Sequence, residues 1–267
     1  MPELPEITKI AQQMKQHLTG KTIAGIEVIQ PKSLNMPVEA FTAALTGAQI
    51  ADVSSRGKWL LLETTHGWLL ISLGMGGETL LVTRESLPEK RRVIFDFTDG
   101  TCLAVNFWWF GYAHFAPEPA QHSMVSKLGP NALDVPAEEL KRMLAGKRGN
   151  IKSYLLDQSS IAGIGNSYVH DILFLARLHP LRKIDSLSGA EIEALHQGIH
   201  TVLNKSLEKG GAAYEQDLFG QKGGFAFDDI LIGYRENQPC PQCGTLIQKL
   251  KTGSTTGFVC PSCQPLR

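Results

Sequence analysis

Residues 239–263 read PCPQCGTLIQKLKTGSTTGFVCPSC. Two C-x-x-C knuckles, Cys240/Cys243 and Cys260/Cys263, are separated by 16 residues, and Gly244 follows the first. Paired knuckles at this spacing let four thiolates converge tetrahedrally on one Zn²⁺, whereas disulfides are unusual in a reducing cytoplasm. Four thiolates leave no open coordination position, so the metal is expected to be structural and to hold a β-hairpin. Cys102 lies in an apolar, strand-like run and reads as a small core residue. A zinc hairpin of this kind presents a surface to a partner, nucleic acid or protein, and the rest of the chain must decide which.

Upstream of the hairpin the pattern is helical. Segments 136–144, 151–156, 167–178 and 189–209 each carry apolar residues at helical spacing and are fenced by Gly, Pro or Ser. Residues 210–224 are glycine-rich and polar and read as a mobile loop. Residues 116–136 contain four prolines and read as a linker. From 21 to 115 the chain changes to short β-rich runs, at 23–29, 50–55, 58–63, 68–73, 78–82, 92–97 and 102–106. His66-Gly67 and Asp99-Gly100 are hairpin-turn dipeptides between them. Ahead of these, Ile7, Ile10, Ala11, Met14 and Leu18 mark a helix buried along one face. The fold expected is α+β: a helix on a β-sandwich or barrel, then a helical domain, then the zinc hairpin. The boundaries expected are 1–116, a linker at 117–135, a helical domain at 136–228 and the finger at 229–267.

With 267 residues and 43% hydrophobic content the chain can build real cores. No apolar run approaches the roughly 20 residues that cross a bilayer, and no signal peptide is visible. The chain therefore reads as cytoplasmic. Lys and Arg total 26 against 26 Asp and Glu, so any surface for a polyanion must be built locally.

Two further stretches carry chemistry. Gly163-Ile-Gly-Asn166-Ser-Tyr168 is not a dinucleotide fingerprint, because the third glycine is missing and helices rather than a strand precede it. A glycine turn that feeds a helix still offers free N–H groups to a phosphate, with Asn166 as an added donor; a plain helix cap is the alternative. The chain opens MPELPEITKI. If Met1 is removed, Pro2 becomes a secondary amine with a pKa of about 8, able to form a Schiff base, and Glu3 beside it is a candidate proton donor. The simpler alternative is that Pro5 starts a helix whose dipole Glu3 and Glu6 complement.

Taken together these features resemble the formamidopyrimidine-DNA glycosylase and endonuclease VIII family, base-excision enzymes that remove oxidised bases and cleave the abasic strand. The likeness runs along nearly the whole chain: Pro2-Glu-Leu-Pro-Glu6, Arg56-Gly-Lys58, Leu73-Gly-Met75-Gly, Gly163-Ile-Gly-Asn166 and the four-cysteine hairpin, in family order. The resemblance implies a helix plus β-sandwich joined to a helix-two-turn-helix and zinc-finger domain. It implies Pro2 as nucleophile at C1′, Glu3 as the acid on the sugar, Glu6 as a supporting carboxylate and Lys58 as a phosphate-holding part of the catalytic set. Met75, Trp108, Phe110, Lys152, Asn166 and Tyr168 fall in the DNA-contacting set, with Met75 as the wedge that fills the gap left by a flipped nucleotide. One structural zinc ion and damaged double- or single-stranded DNA are the implied partners, with no membrane and a monomeric chain. A bacterial, nucleoid-associated location follows from the same resemblance.

Three positions depart from the family pattern. Asn106-Phe-Trp108-Trp109-Phe110-Gly111 stands where an Asp-Pro-Arg-x-Phe-Gly segment is usual, so Trp108 replaces the arginine that reads the widowed base with a flat stacking surface. Thr255 stands where an arginine usually clamps phosphate five residues before the third cysteine, which lowers the expected DNA affinity and its salt dependence by about one contact. Residues 214–225 differ from the loop that closes over 8-oxoguanine. Rival readings are a non-catalytic DNA-structure binder, which has no use for a free N-terminal proline, and a zinc-stabilised protein-interaction module, which leaves Met75 and the aromatic run unexplained.

Overall fold

A computed structural model describes residues 1–253 and 255–267. The chain divides into two compact units, one of residues 1–127 with 209–224 and one of residues 128–208 with 225–267.

In the first unit, α1 (Leu4–Leu18) is followed by β1 (Ile23–Val28), α2 (Val38–Leu45), β2 (Ile50–Arg56), β3 (Trp59–Thr64), β4 (Gly67–Ser72), β5 (Glu78–Thr83), β6 (Val93–Phe97), β7 (Thr101–Asn106) and β8 (Tyr112–Ala116). The strands form two antiparallel four-stranded sheets, β1-β6-β7-β5 and β2-β3-β4-β8. Ile7, Ile10, Met14 and Leu18 of α1 share one apolar cluster with Leu60, Leu62, Leu69 and Ile71 of one sheet and Phe95, Leu103 and Val105 of the other. This is the sandwich with a helix packed on it, built by the spacing read in the sequence. Helix α2 was hidden among β-rich runs; Pro37 caps it, and Phe41 and Leu45, one turn apart, are fully buried.

Residues 210–224 were expected to be a mobile loop of the helical domain, but residues 209–224 pack with the first unit. The reason is specific. Leu218 enters the sandwich core and its carbonyl accepts from the Leu81 amide at 3.0 Å. The Gln13 side chain donates to Asp217 at 2.7 Å and accepts from the Leu218 amide at 3.0 Å.

A buried pair of histidines gives this unit a pH signature. The Val125 amide donates to His122 Nδ1 at 3.1 Å, which leaves His122 Nε2–H to donate to His114 Nδ1 at 2.8 Å. Burial, then the neighbouring His122 ring, pushes His114 down to about 4, and burial lowers His122 as well. The unfolded state, with an ordinary His pKa of about 6.5, binds the extra proton first, so stability falls as pH drops from about 6.5 to 4. The loss attributable to His114 is about 3 kcal/mol. Urea unfolding at pH 7 and pH 5 is expected to show about 2 kcal/mol of this loss, and His114→Gln to flatten the difference.

The second unit holds α3 (Ala137–Leu144), α4 (Ile151–Leu156), α5 (Val169–Leu175), α6 (Gly189–Glu208) and the antiparallel hairpin β9 (Gln248–Thr252) and β10 (Thr255–Val259). Asp171 of α5 accepts three backbone N–H groups, from Leu231, Ile232 and Gly233, and so fixes the approach to the hairpin. Phe174, Ile232, Ile247 and Phe258 make a small apolar core around Cys240 and Cys260.

Candidate active site and nucleic-acid interface

The chain start is enclosed rather than frayed. Pro2 is buried, and Glu3 and Glu6 are only 3% and 4% exposed. Glu6 uses its two carboxylate oxygens on different partners: Oε2 accepts the Glu3 amide at 2.8 Å and Oε1 accepts the Ala212 amide at 2.9 Å. The helix-start reading of Glu6 is thus correct but incomplete, since the same carboxylate also ties the returning segment to α1. Gly211 makes this approach feasible: it sits at φ +96°, and a Cβ there would lie 2.9 Å from Glu6 Cγ. The Met1 ammonium meets Glu215 Oε1 at 3.2 Å, a residue with no sequence signal of its own. Lys58 lies half-buried in the turn between β2 and β3, opened by Gly57 at φ +58°.

Elsewhere in the first unit, two loops are stitched into one apolar prominence. The Met75 amide donates to the Trp109 carbonyl at 2.9 Å, and Gly74, at φ +61°, permits the approach because a Cβ would stand 2.2 Å from that oxygen. Met75, Trp108, Trp109 and Phe110 are all exposed, Trp108 by 55% and Phe110 by 66%. Phe110 holds a left-handed φ of +58°, and Lys90 Nζ lies 5.2 Å from the Trp108 ring centroid. Large apolar side chains displayed together on a surface mark a binding face. Trp109 and Lys90 extend the set that the sequence singled out.

In the second unit the Gly163–Tyr168 turn is held by Gln158, whose Oε1 accepts the Gly163 amide at 2.9 Å while its Nε2 donates to the Ile164 carbonyl at 2.8 Å. Asn166 is half-buried, and its carbonyl accepts from the Tyr234 hydroxyl at 3.4 Å. Two of the residues expected at the DNA are enclosed within this unit. Tyr168 is 1% exposed, with its hydroxyl 2.6 Å from Ser206 and its ring edge-on to Phe225, so it is a core residue. Lys152 is also 1% exposed. Its ammonium donates to Thr252 Oγ1 at 3.0 Å, Thr255 Oγ1 at 2.8 Å and the Thr256 carbonyl at 2.6 Å. All three donors are engaged inside the unit, and burial among neutral acceptors pushes the lysine down to about 8. Lys152 therefore anchors the hairpin to α4, and Thr255 is one of its anchors. Thr255→Val removes one acceptor from a buried cation at nearly constant volume, and a loss of about 1.5–3 kcal/mol is expected in urea unfolding of this unit.

The four cysteine sulfurs lie within 4.8 Å of one another, with Cys240 to Cys263 at 3.9 Å and Cys243 at 3.4 Å from both Cys260 and Cys263. Tetrahedral zinc with Zn–S of about 2.3 Å places its sulfurs about 3.8 Å apart, so the set fits one structural zinc ion.

Three family models match in the order of these elements: the formamidopyrimidine-DNA glycosylase N-terminal domain over residues 1–106, its H2TH domain over 128–217, and the zinc finger found in FPG and IleRS over 237–266. The chain belongs to the formamidopyrimidine-DNA glycosylase family. Among named family members, the formamidopyrimidine-DNA glycosylase of Symbiobacterium thermophilum is 34% identical, covering 100% of this chain and 90% of its own length. That of Edwardsiella ictaluri is 35% identical, covering 99% and 100%. The fold is also that of a Lactococcus lactis FPG mutant solved with Fapy-dG containing DNA, with a TM-score of 0.89 at 28% identity and coverage of 99% and 100%. The same family fold recurs in the L. lactis Fpg complex with abasic-site DNA, again at a TM-score of 0.89. The helix-two-turn-helix expectation is therefore met, and no helix among the described residues is long and apolar enough to cross a membrane.

Proposed function

We propose that this family member excises oxidised bases from DNA with Pro2 as the nucleophile, once Met1 has been removed, and then cleaves the abasic strand. It is a DNA glycosylase with abasic-site lyase activity, acting in base-excision repair. The observation that supports the site assignment is the enclosed chain start, where Pro2 and Glu3 are buried and Glu6 fastens them to residues 209–224. Chain ends are ordinarily loose, so this degree of fixing has a purpose.

The neutral secondary amine attacks C1′; the N–C1′ bond forms as the glycosidic bond breaks, and its electron pair leaves with the base. The N–C1′ adduct gives up its remaining N–H proton to a base, and Glu3 then gives a proton to O4′ as C1′–O4′ breaks and the freed nitrogen lone pair completes a cationic Schiff base. Loss of a C2′ proton expels the 3′ phosphate. The catalytic part is residues 1–116 with the returning segment 209–224; residues 136–208 and 225–267 bind DNA. Lys58 in the first unit and Asn166 in the second are each assigned a phosphate, and Met75 the gap left by the flipped nucleotide. Zinc shapes the hairpin and takes no part in the reaction. The setting is the bacterial cytoplasm at the nucleoid, where the four thiolates stay reduced.

Trp108 and Phe110 offer stacking faces to the base left opposite, and stacking is tolerant of base identity. Excision rates measured opposite A, C, G and T are therefore expected to differ little. Trp108→Arg is expected to restore discrimination of about 5- to 150-fold, the worth of one bidentate base contact. The central test is borohydride trapping on abasic-site DNA: the wild-type chain is expected to form a covalent adduct through Pro2, and its absence would sink the lyase assignment. Intact-mass measurement verifies that Met1 has been removed.

A further inference from the structure

Glu215 is the residue of the site that neither the sequence nor the family pattern singled out. Its side chain is 11% exposed and meets the chain-terminal ammonium at 3.2 Å. Its backbone is held on both sides, the Glu215 amide donating to the Ala212 carbonyl at 3.0 Å and its carbonyl accepting from the Gly223 amide at 3.3 Å. Ala212 is in turn held by Glu6, so the carboxylate is built into the same framework as Glu3. Removal of Met1 moves the terminal amine by one residue, about 3.8 Å between successive Cα atoms. A three-torsion glutamate side chain spans that change.

The chemistry leaves a role unfilled. A terminal amine with a pKa of about 8 is mostly protonated at neutral pH and cannot attack until it loses a proton. Glu6 already spends both oxygens on backbone amides, and Glu3 must carry a proton to give to O4′. We propose that Glu215 is the proton acceptor for the Pro2 amine, an inference that rests on Pro2 being the nucleophile. The first N–H bond breaks, an O–H bond forms on Glu215, and the freed lone pair attacks C1′. That proton passes to the departing base, and the carboxylate then takes the second proton from the N–C1′ adduct. Burial and the charges of Glu6 and Glu3 raise the proton affinity of Glu215 against the opposing pull of the ammonium, which narrows the gap to the amine.

The test is the single-turnover rate of borohydride trapping on abasic-site DNA from pH 6 to 9, using the processed full-length chain and its Glu215→Gln variant. The variant is expected to be about 100-fold slower at pH 7 and to approach the wild type by pH 9, where solvent deprotonates the amine. A rate at pH 7 that is unchanged or faster overturns the inference, because loss of a mere ion-pair partner would make the amine easier to deprotonate. Peptide mapping of the adduct separates the two readings. An adduct at Pro2 with no effect of Glu215→Gln overturns this proposal alone, whereas no adduct, or one at another residue, overturns the nucleophile assignment and this proposal with it. Should Glu215→Gln not fold, Glu215→Asp carries the test: slower trapping at pH 7 with a wild-type rate at pH 9 supports the role, and an unchanged rate at pH 7 overturns it.

Discussion

Replacing Glu3 with glutamine is expected to slow strand scission on abasic-site DNA by about 100- to 10,000-fold, the range that a positioned general acid contributes. Glutamine preserves the shape of a residue that is almost fully enclosed, and its backbone amide can still donate to Glu6. What it lacks is the acidic proton for O4′. DNA binding should therefore survive, and rapid-quench rates at saturating enzyme are the proper measurement. Glu6→Gln makes an informative contrast. A glutamine there can accept only through one oxygen, so one of the two amides, Glu3 or Ala212, loses its acceptor. The expected signature is a shift of residues 209–224 visible by hydrogen exchange, beside whatever rate is lost.

The second large effect is expected on removing zinc. The hairpin's apolar contacts are few, centred on Phe174, Ile232, Ile247 and Phe258, and two of the ligands, Cys240 and Cys260, are themselves part of that core. Metal binding in comparable fingers supplies about 10–16 kcal/mol of folding free energy, far more than so small a cluster can replace. Cys260→Ser, or chelation, is expected to release one zinc ion per chain and to abolish hairpin protection against hydrogen exchange. DNA affinity should fall as well. The sandwich of the first unit, whose core is independent of the metal, should keep its own unfolding transition. Retained protection of β9 and β10 after metal loss would show that Lys152 and the apolar residues suffice.

Much of this was legible in the sequence because it is local. The i, i+3, i+4 spacing from Ile7 to Leu18 states which face of α1 is inward, and the alternation of short apolar runs with glycine turns states a sandwich or barrel. Paired C-x-x-C knuckles state a tetrahedral sulfur site. What escaped is set by distant partners. Nothing near Lys152 indicates that three acceptors some hundred residues later will enclose it, and Tyr168 gives no sign that its hydroxyl faces Ser206. Both residues entered the DNA-contacting set through the family resemblance, and no local pattern announces their enclosure. The return of residues 209–224 to the first unit depends on Leu218 and Gln13, neither of which is conspicuous, and on a second use of Glu6 that its place in the motif does not announce. The family resemblance implied the roles; the burial of each side chain had to be seen.

The Lys152 anchorage also bears on how this chain can change. An arginine introduced at Thr255 would remove one hydroxyl acceptor from a buried ammonium and set a second cation beside it. The substitution that would restore the usual phosphate clamp is thus penalised while Lys152 stays where it is, and a change at Lys152 alone strands the acceptors on the hairpin. The two positions are therefore expected to be epistatic, so that the route back runs through a paired replacement rather than a single step.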